Sequence, residues 1–168
     1  MLLSTVILTS CAGGSMTDES ARAELERLLP MSYELNEIFW GEGLPYVDDG
    51  SVNRYMPVSP DCPYKSVDEI LDEASKIFSP EYLEDIKGAI FTDGDGFEPR
   101  YFDLNGVLMV DKTNKGFGVK GNVLVETATI KKQNRAMCIV NAEYADGGKN
   151  EISLVLIDDV WYLNSPSY

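Results

Sequence analysis

The spacing of apolar positions divides this chain into a helical first part and a strand-rich second part. From about Asp18, residues Ala21, Leu25, Leu28 and Leu29 recur at helical spacing, and Leu35, Ile38 and Phe39 continue nearly the same face. Asp18 and Glu19 suit the positive end of a helix dipole. Pro30 interrupts the run, which predicts a kink or two consecutive helices, and Gly41 and Gly43 after Trp40 mark its end. The segment "GEGLPYVDDGSVNRYMPVSPDCP" reads as a long loop with one short strand at "RYMPV". In "SVDEILDEASKIF", Ser66 and Glu69 predict a capping box, and Ile70, Leu71, Ala74, Ile77 and Phe78 form one apolar stripe. "SPEYLEDIKGAIF" restarts a helix with Ser79 as cap and Pro80 in the first turn, so that Leu83, Ile86 and Ile90 face inward.

After Phe91 the period shortens to that of strands. "RYFDLNGVLMVD" places Asn105-Gly106 between two strand-like runs, a strong hairpin signal. "NVLVETATIKK", "AMCIVNAEYA" and "EISLVLI" follow at hairpin spacing, joined by "QNR" and "DGGKN", and Ile152, Leu154 and Leu156 alternate as in a sheet with one buried face. Asp158-Asp159 reads as a further hairpin turn before "VWYL". Helices grouped ahead of an antiparallel meander predict an α+β domain over residues 18–168, with the helices covering one face of a curved sheet.

The amino terminus reads differently. Leu2 to Leu8 form a short apolar run, followed by Thr9, Ser10 and Cys11, and then "AGGSMTDES". The order Leu-Thr-Ser-Cys resembles the bacterial lipoprotein lipobox, in which the cysteine is lipidated and becomes the mature amino terminus. Residues 1–17 are accordingly expected to be a signal segment and a Gly/Ser tether, and Cys11 a lipid anchor on the extracytoplasmic face of the cell membrane. No Lys or Arg precedes the apolar run, which departs from the usual signal pattern. The run is also far shorter than the ~20 residues of a spanning helix.

Composition narrows the chemistry. The chain has 168 residues and no histidine, which removes His-based triads and His-ligated zinc or haem. Three cysteines without C-x-x-C spacing argue against structural zinc. Besides Cys11 there remain Cys62 and Cys138. They have the option of pairing outside the cytoplasm, but Cys138 in "AMCIV" reads as a buried strand residue, so two unreactive thiols are expected. The net charge of −14 is unevenly spread: residues 1–99 carry 20 Asp or Glu against 6 Lys or Arg, and residues 100–168 carry 8 against 8. So acidic a body disfavours nucleic acid and anionic lipid heads.

Three groups of residues invite a chemical reading. In "FTDGDGFEP", Asp93, Asp95 and Gly96 match the middle of a calcium loop, but Phe91 and Phe102 stand where its first and last ligands belong, so a plain turn is expected. Acidic pairs such as Asp72-Glu73 and Asp158-Asp159 lie on solvated faces or turns, with nothing to set them across a cleft. Lys131, Lys132 and Arg135 cluster at a hairpin tip, as in a charged edge that blocks sheet pairing. No catalytic residue, metal or cofactor is expected. The candidate partner-binding residues are the aromatics flanking the long loop, Trp40, Tyr46 and Tyr55, and the acids of the capped helix, Asp68, Asp72 and Glu73.

The stretch "YMPVSPDCPYKSVDEILDEASKIFSPEYLEDI", Tyr55 to Ile86, resembles the IseA family of D,L-endopeptidase inhibitors. Its better points are Tyr55, Ser66, Leu71, Phe78 and Ser79. The closing "DDVWYLNSPSY" is similar to the last hairpin of that family and of NTF2-like domains, and a cystatin/NTF2-like arrangement of helices on the meander is what this implies. The IseA resemblance implies a non-enzymatic envelope protein that docks onto a basic partner such as a cell-wall hydrolase and restrains it. The NTF2-like resemblance implies instead a lipoprotein with a small-molecule pocket for sensing or carriage. A carboxylate-based hydrolase ranks third.

Overall fold

A computed structural model describes residues 15–92, 98–116, 118 and 122–167 of the chain. Three helices precede most of the strands: α1 (Asp18–Trp40), α2 (Val67–Ala74) and α3 (Pro80–Ile90). The strands are β1 (Tyr55–Pro57), β2 (Tyr101–Leu104), β3 (Val107–Asp111), β4 (Val123–Gln133), β5 (Met137–Tyr144), β6 (Lys149–Ile157) and β7 (Val160–Leu163). The fold is α+β, as the two periodicities require. Among the described residues the strands form two antiparallel sheets, one of order β1-β3-β2 and one of order β4-β5-β6-β7. The early loop strand is what separates them: β1 joins the hairpin β2–β3 as its third strand, so that hairpin is not the start of the later meander.

Two of the turns show the backbone their residues were chosen for. Asn105-Gly106 and Asp158-Asp159 each close a two-residue hairpin with φ positive at both positions (52° and 79°; 49° and 64°), the geometry that matches the twist of the flanking strands. β4 lies at a sheet edge, and its pairing with β5 shifts register between Leu124 and Thr129 and again between Ile130 and Lys132. Lys131 and Lys132 therefore sit on an irregular, charged edge, as expected.

Helix α1 runs unbroken through Pro30 for 23 residues, so the expected division there does not occur. The buried side chains on both sides of the proline hold it: Leu25, Leu28 and Leu29 before, and Leu35, Ile38 and Phe39 after, all in the main core. Facing them are Ala128, Cys138, Val140, Ile152, Leu154 and Leu163 from the four-stranded sheet, each fully buried. The carboxyl-terminal tail closes one side of this layer, where Ser167 Oγ meets Ser32 Oγ at 3.0 Å and Asn36 Nδ2 at 3.2 Å, all three residues buried.

Ser66 caps α2 by accepting the Glu69 N–H at 3.2 Å. The reciprocal half of the capping box differs from expectation: the Glu69 carboxylate accepts from Lys65 N at 2.6 Å. A strand does the remaining capping, since Asp103 of β2 accepts the Val67 N–H at 3.1 Å. The helix stops at Ala74, and the last stripe residues, Ile77 and Phe78, are buried from a turn. That turn is tied to β7: Ser79 N donates to Leu163 O (2.8 Å) and Leu163 N to Ile77 O (2.9 Å). Ser79 and Pro80 open α3 as predicted.

The carboxyl end of α1 has no basic residue in its last turn, yet each of its last four carbonyls is satisfied. Glu37 O accepts from Gly41 N and Gly43 N, Ile38 O from Tyr101 Oη (2.9 Å), Phe39 O from Arg100 Nη1 (2.8 Å) and Trp40 O from Gly118 N (3.1 Å). Arg100 Nη2 also donates to Gly41 O at 2.7 Å. Arg100 is 1% exposed and forms no ion pair among the described residues, so the negative end of the helix dipole is its counter-charge. Gly43, at φ +84°, leaves no room for a side chain, because a Cβ there would lie 2.6 Å from Arg100 Nη2. We expect Arg100→Leu to lower unfolding stability by about 2–5 kcal/mol, since two buried carbonyls lose charged donors. Urea titration measures this directly, and a loss below about 1 kcal/mol contradicts the assigned role.

Candidate functional site

The helical part of the chain carries its charge unequally paired. Between residues 15 and 92 stand six basic side chains, and the chain's own acceptors engage all of them. Arg22 donates to Ala128 O (3.0 Å), Arg27 to Glu24 and Trp161 O, and Lys65 to the carbonyls of Pro60 and Cys62. Arg54 pairs with Asp111, Lys76 with Glu73, and Lys87 with Glu84. Glu26, Glu34, Asp68, Asp72, Glu81 and Asp85 are exposed and form no ion pair among the described residues. The result is a surface on which these six carboxylates have no ion-pair partner among the described residues.

Asp68 and Asp72 are fully on the surface of α2, while Glu73 is half-buried and holds Lys76. The folded chain adds two residues that the sequence reading missed, Glu34 of α1 and Tyr64. The Tyr64 phenol lies half-buried against the core, and its pKa is raised first by burial and then by the negative charges of Glu73 and Glu34. Lys76 is held more strongly protonated by its hydrogen bond to Glu73, with Asp72 adding to the effect. Two helices thus bring Glu34 and Glu73 close enough to one phenol for their charges to act on it. Spacing along the chain gives no hint of this, because Glu34 and Tyr64 are separated by the entire long loop.

The three aromatic candidates do not form one cluster with these acids. Trp40 and Tyr46 are half-buried and pack against the core; Tyr46 also forms a bridge to Val58. Tyr55 meets Phe102 edge to face, with ring centres 4.8 Å apart, and its hydroxyl donates to Pro99 O at 3.1 Å. With Phe91, Glu98 and Pro99 these rings line an open groove of about 380 Å³. A second open groove of about 400 Å³, lined by polar residues including Thr129, Asn141, Glu143 and Glu151, runs along the strands of the larger sheet.

The long loop that precedes β1 is fastened through Arg54, which pairs with both Asp111 and Glu98. Arg54 Nε and Nη2 both donate to Asp111 Oδ2, at 2.9 and 2.7 Å, and Thr113 donates to Oδ1 from its N–H (2.9 Å) and hydroxyl (2.6 Å). Lys112 Nζ adds a bond to Ser51 O at 2.7 Å. Asp111 is 1% exposed. Burial works to raise its pKa, but the hydrogen bonds from Arg54 and Thr113 outweigh it and the carboxyl is held below its ordinary range.

Cys62 and Cys138 are both free and buried, and burial raises the Cys138 thiol pKa further. Neither is poised as a nucleophile. Among the described residues no group of three or more His, Cys, Asp or Glu is placed to hold a metal ion, and no helix is long and apolar enough to cross a membrane. Cys11 and the segment with Asp93, Asp95 and Gly96, expected to be a plain turn, lie outside the described residues. No protein-family model and no curated protein matches the chain.

Because the folded-state pKa of Asp111 is depressed, its contribution is complete at neutral pH and disappears as pH falls through about 4 and below. Asp111→Asn should lower stability at neutral pH and flatten the acid limb of the stability–pH curve. Urea midpoints for both chains across that range check it: parallel curves contradict the assignment.

Proposed function

We propose that this protein is a non-catalytic binding protein of the cell envelope, held to the membrane through Cys11, which docks a basic protein such as a cell-wall hydrolase on its acidic helical face. The observation that carries the reading is the internal engagement of the cations in the helical part: six basic groups are tied internally, while Asp68, Asp72 and Glu34 stand exposed without an ion pair among the described residues. A field of one sign at a surface steers a partner of the opposite sign and raises its association rate. The resemblance of Tyr55 to Ile86 to the IseA family and the lipobox-like Leu8 to Cys11 point to the same compartment.

A second reading, a small-molecule carrier, draws on the aromatic groove at Tyr55 and Phe102. That groove is open, and the layer between α1 and the four-stranded sheet is filled by side chains that are 0% exposed, among them Leu25, Leu28, Cys138, Val140 and Ile152. The filled layer supports docking over enclosure of a ligand.

Neutralising Asp68, Asp72 and Glu73 together should slow association with a captured envelope partner about tenfold at low salt, and the difference should shrink as salt screens the field. Glu69 is left in place because its carboxylate holds Lys65 N. Stopped-flow or surface-based kinetics at several salt concentrations measure the effect, and a rate indifferent to both salt and substitution sinks the acidic-face proposal. The anchor is tested separately by fractionating cells that express the chain with and without Cys11→Ala. Equal distribution between membrane and soluble fractions contradicts lipidation.

A further inference from the structure

The outer face of the four-stranded sheet changes character along its length. In register, Glu143 stands beside Lys149, Asn141 beside Glu151, Ile139 beside Ser153 and Met137 beside Val155. Tyr162 follows Val155 on β7, and Val160 follows Ile157. The other face of these strands is the core layer, where Cys138, Val140, Ile152 and Leu154 are fully buried. A sheet with one solvated face should carry polar residues on all of its outward positions. Here they are polar at one end only, and toward the β4–β5 turn three neighbouring strands all become apolar. Met137 and Val160 are 39% and 41% exposed, and Ile139, Val155, Ile157 and Tyr162 are half-buried. Ile130 and Trp161 pack against the core, but none of these six does among the described residues. A contiguous apolar patch on a solvent face marks a contact surface.

The charges around the patch fit it to a copy of itself. Leu156 N donates to Ala136 O (2.8 Å), which sets the Asp158-Asp159 turn beside the β4–β5 tip. Lys132 and Arg135 lie on the β4 side of the Met137–Val155 pair, and Asp158 and Asp159 lie on its β7 side. All four side chains are exposed and have no ion pair among the described residues. Farther along the face the signs are already matched, with Lys131 bound to Glu151 and Lys149 opposite Glu143. This face therefore lacks the one-sided field of the helical side, so two chains of net charge −14 can meet on it.

We infer that this face is the interface of a homodimer, in which the apolar patch of one copy packs on that of a second. A two-fold axis along the strands, between β5 and β6, lays Met137 of each copy on Val155 of the other. It also sets Arg135 of each copy toward the Asp158-Asp159 turn of the other. Two sheets packed with their strands roughly aligned are a common arrangement, and a patch flanked by opposite signs is self-complementary. The same axis keeps both copies of Met16, beside Gln133, at one end and leaves α1 and α2 of both copies facing outward. The association does not depend on the anchor reading of Cys11.

Sedimentation equilibrium of the full chain with Cys11→Ser should show a dimer that dissociates in about the micromolar range. Met137→Thr/Val155→Thr, which keeps strand propensity, should weaken it about thirtyfold. Arg135→Glu should weaken it about tenfold at low salt, less as salt rises. Asp158→Asn/Asp159→Asn, chosen because asparagine tolerates the positive φ of that turn, should weaken the parent dimer but strengthen that of Arg135→Glu, where it removes a repulsion. Leu104→Ser/Val107→Ser, on the exposed hairpin of the smaller sheet, should change nothing. A chain that stays monomeric up to about 0.5 mM, as when residues 2–8 cover the patch of their own chain, overturns the proposal. So does association that is equal in every variant, which the apolar run at residues 2–8 alone would give, or that is lost only in the Leu104/Val107 variant. An effect of the Asn pair with the same sign in both backgrounds overturns it as well.

Discussion

A single buried cation holds the two parts of this molecule together. Helix α1 ends with its dipole and its last carbonyls facing inward, where water cannot satisfy them, and Arg100 reaches two carbonyls at that end, Phe39 O and Gly41 O, from just before a strand 61 and 59 residues later in the chain. Tyr101 Oη donates to Ile38 O and accepts the Leu44 N–H (2.9 Å), so the chain leaving the helix is fixed by the same pair. The arrangement is costly to disturb from either side: an unpaired guanidinium in the core and orphaned helix carbonyls are each unfavourable by several kcal/mol. This contact decides that the long loop begins at a fixed point and direction.

From that fixed point the rest of the three-stranded sheet follows. β2 contributes Tyr101 to α1, Asp103 to the cap of α2 and Phe102 to the ring of Tyr55, so one short strand touches three separate elements. β3 supplies Asp111, which fastens Arg54 and with it the far end of the loop. The four-stranded sheet is organised more simply, by apolar burial against α1 and by the tie between the α2–α3 junction and Leu163. Specific polar contacts govern the first sheet, and non-directional packing governs the second.

The charge distribution follows the same framework. The end of α1 lies beside the strand that caps α2, and Asp68 and Asp72 stand exposed on that helix without an ion pair among the described residues. The opposite end is mixed: Lys132 and Arg135 share it with the exposed Asp158-Asp159 turn, because Leu156 N donates to Ala136 O (2.8 Å). Charge of one sign is therefore concentrated on the helical side alone.

Elements carried by local periodicity were legible in the sequence: the stripes of α1 and α3, the Ser66 and Ser79 caps, and the Asn105-Gly106 and Asp158-Asp159 turns all depend on residues within a few positions of one another. The even charge count of residues 100–168 and the missing histidine were equally plain. Tertiary structure decided what depends on distant partners. Pro30 stays inside one helix because packing on both sides of it outweighs one lost backbone bond. β1, at the end of the long loop, pairs with β3 across the intervening α2, α3 and β2, and the strands form two sheets. Glu34 of α1 and Glu73 of α2 act together on Tyr64 only in the folded chain. Local rules act over a turn or a hairpin, whereas the burial of Arg100 and the neighbours of Tyr64 are set by contacts that the order of residues does not display.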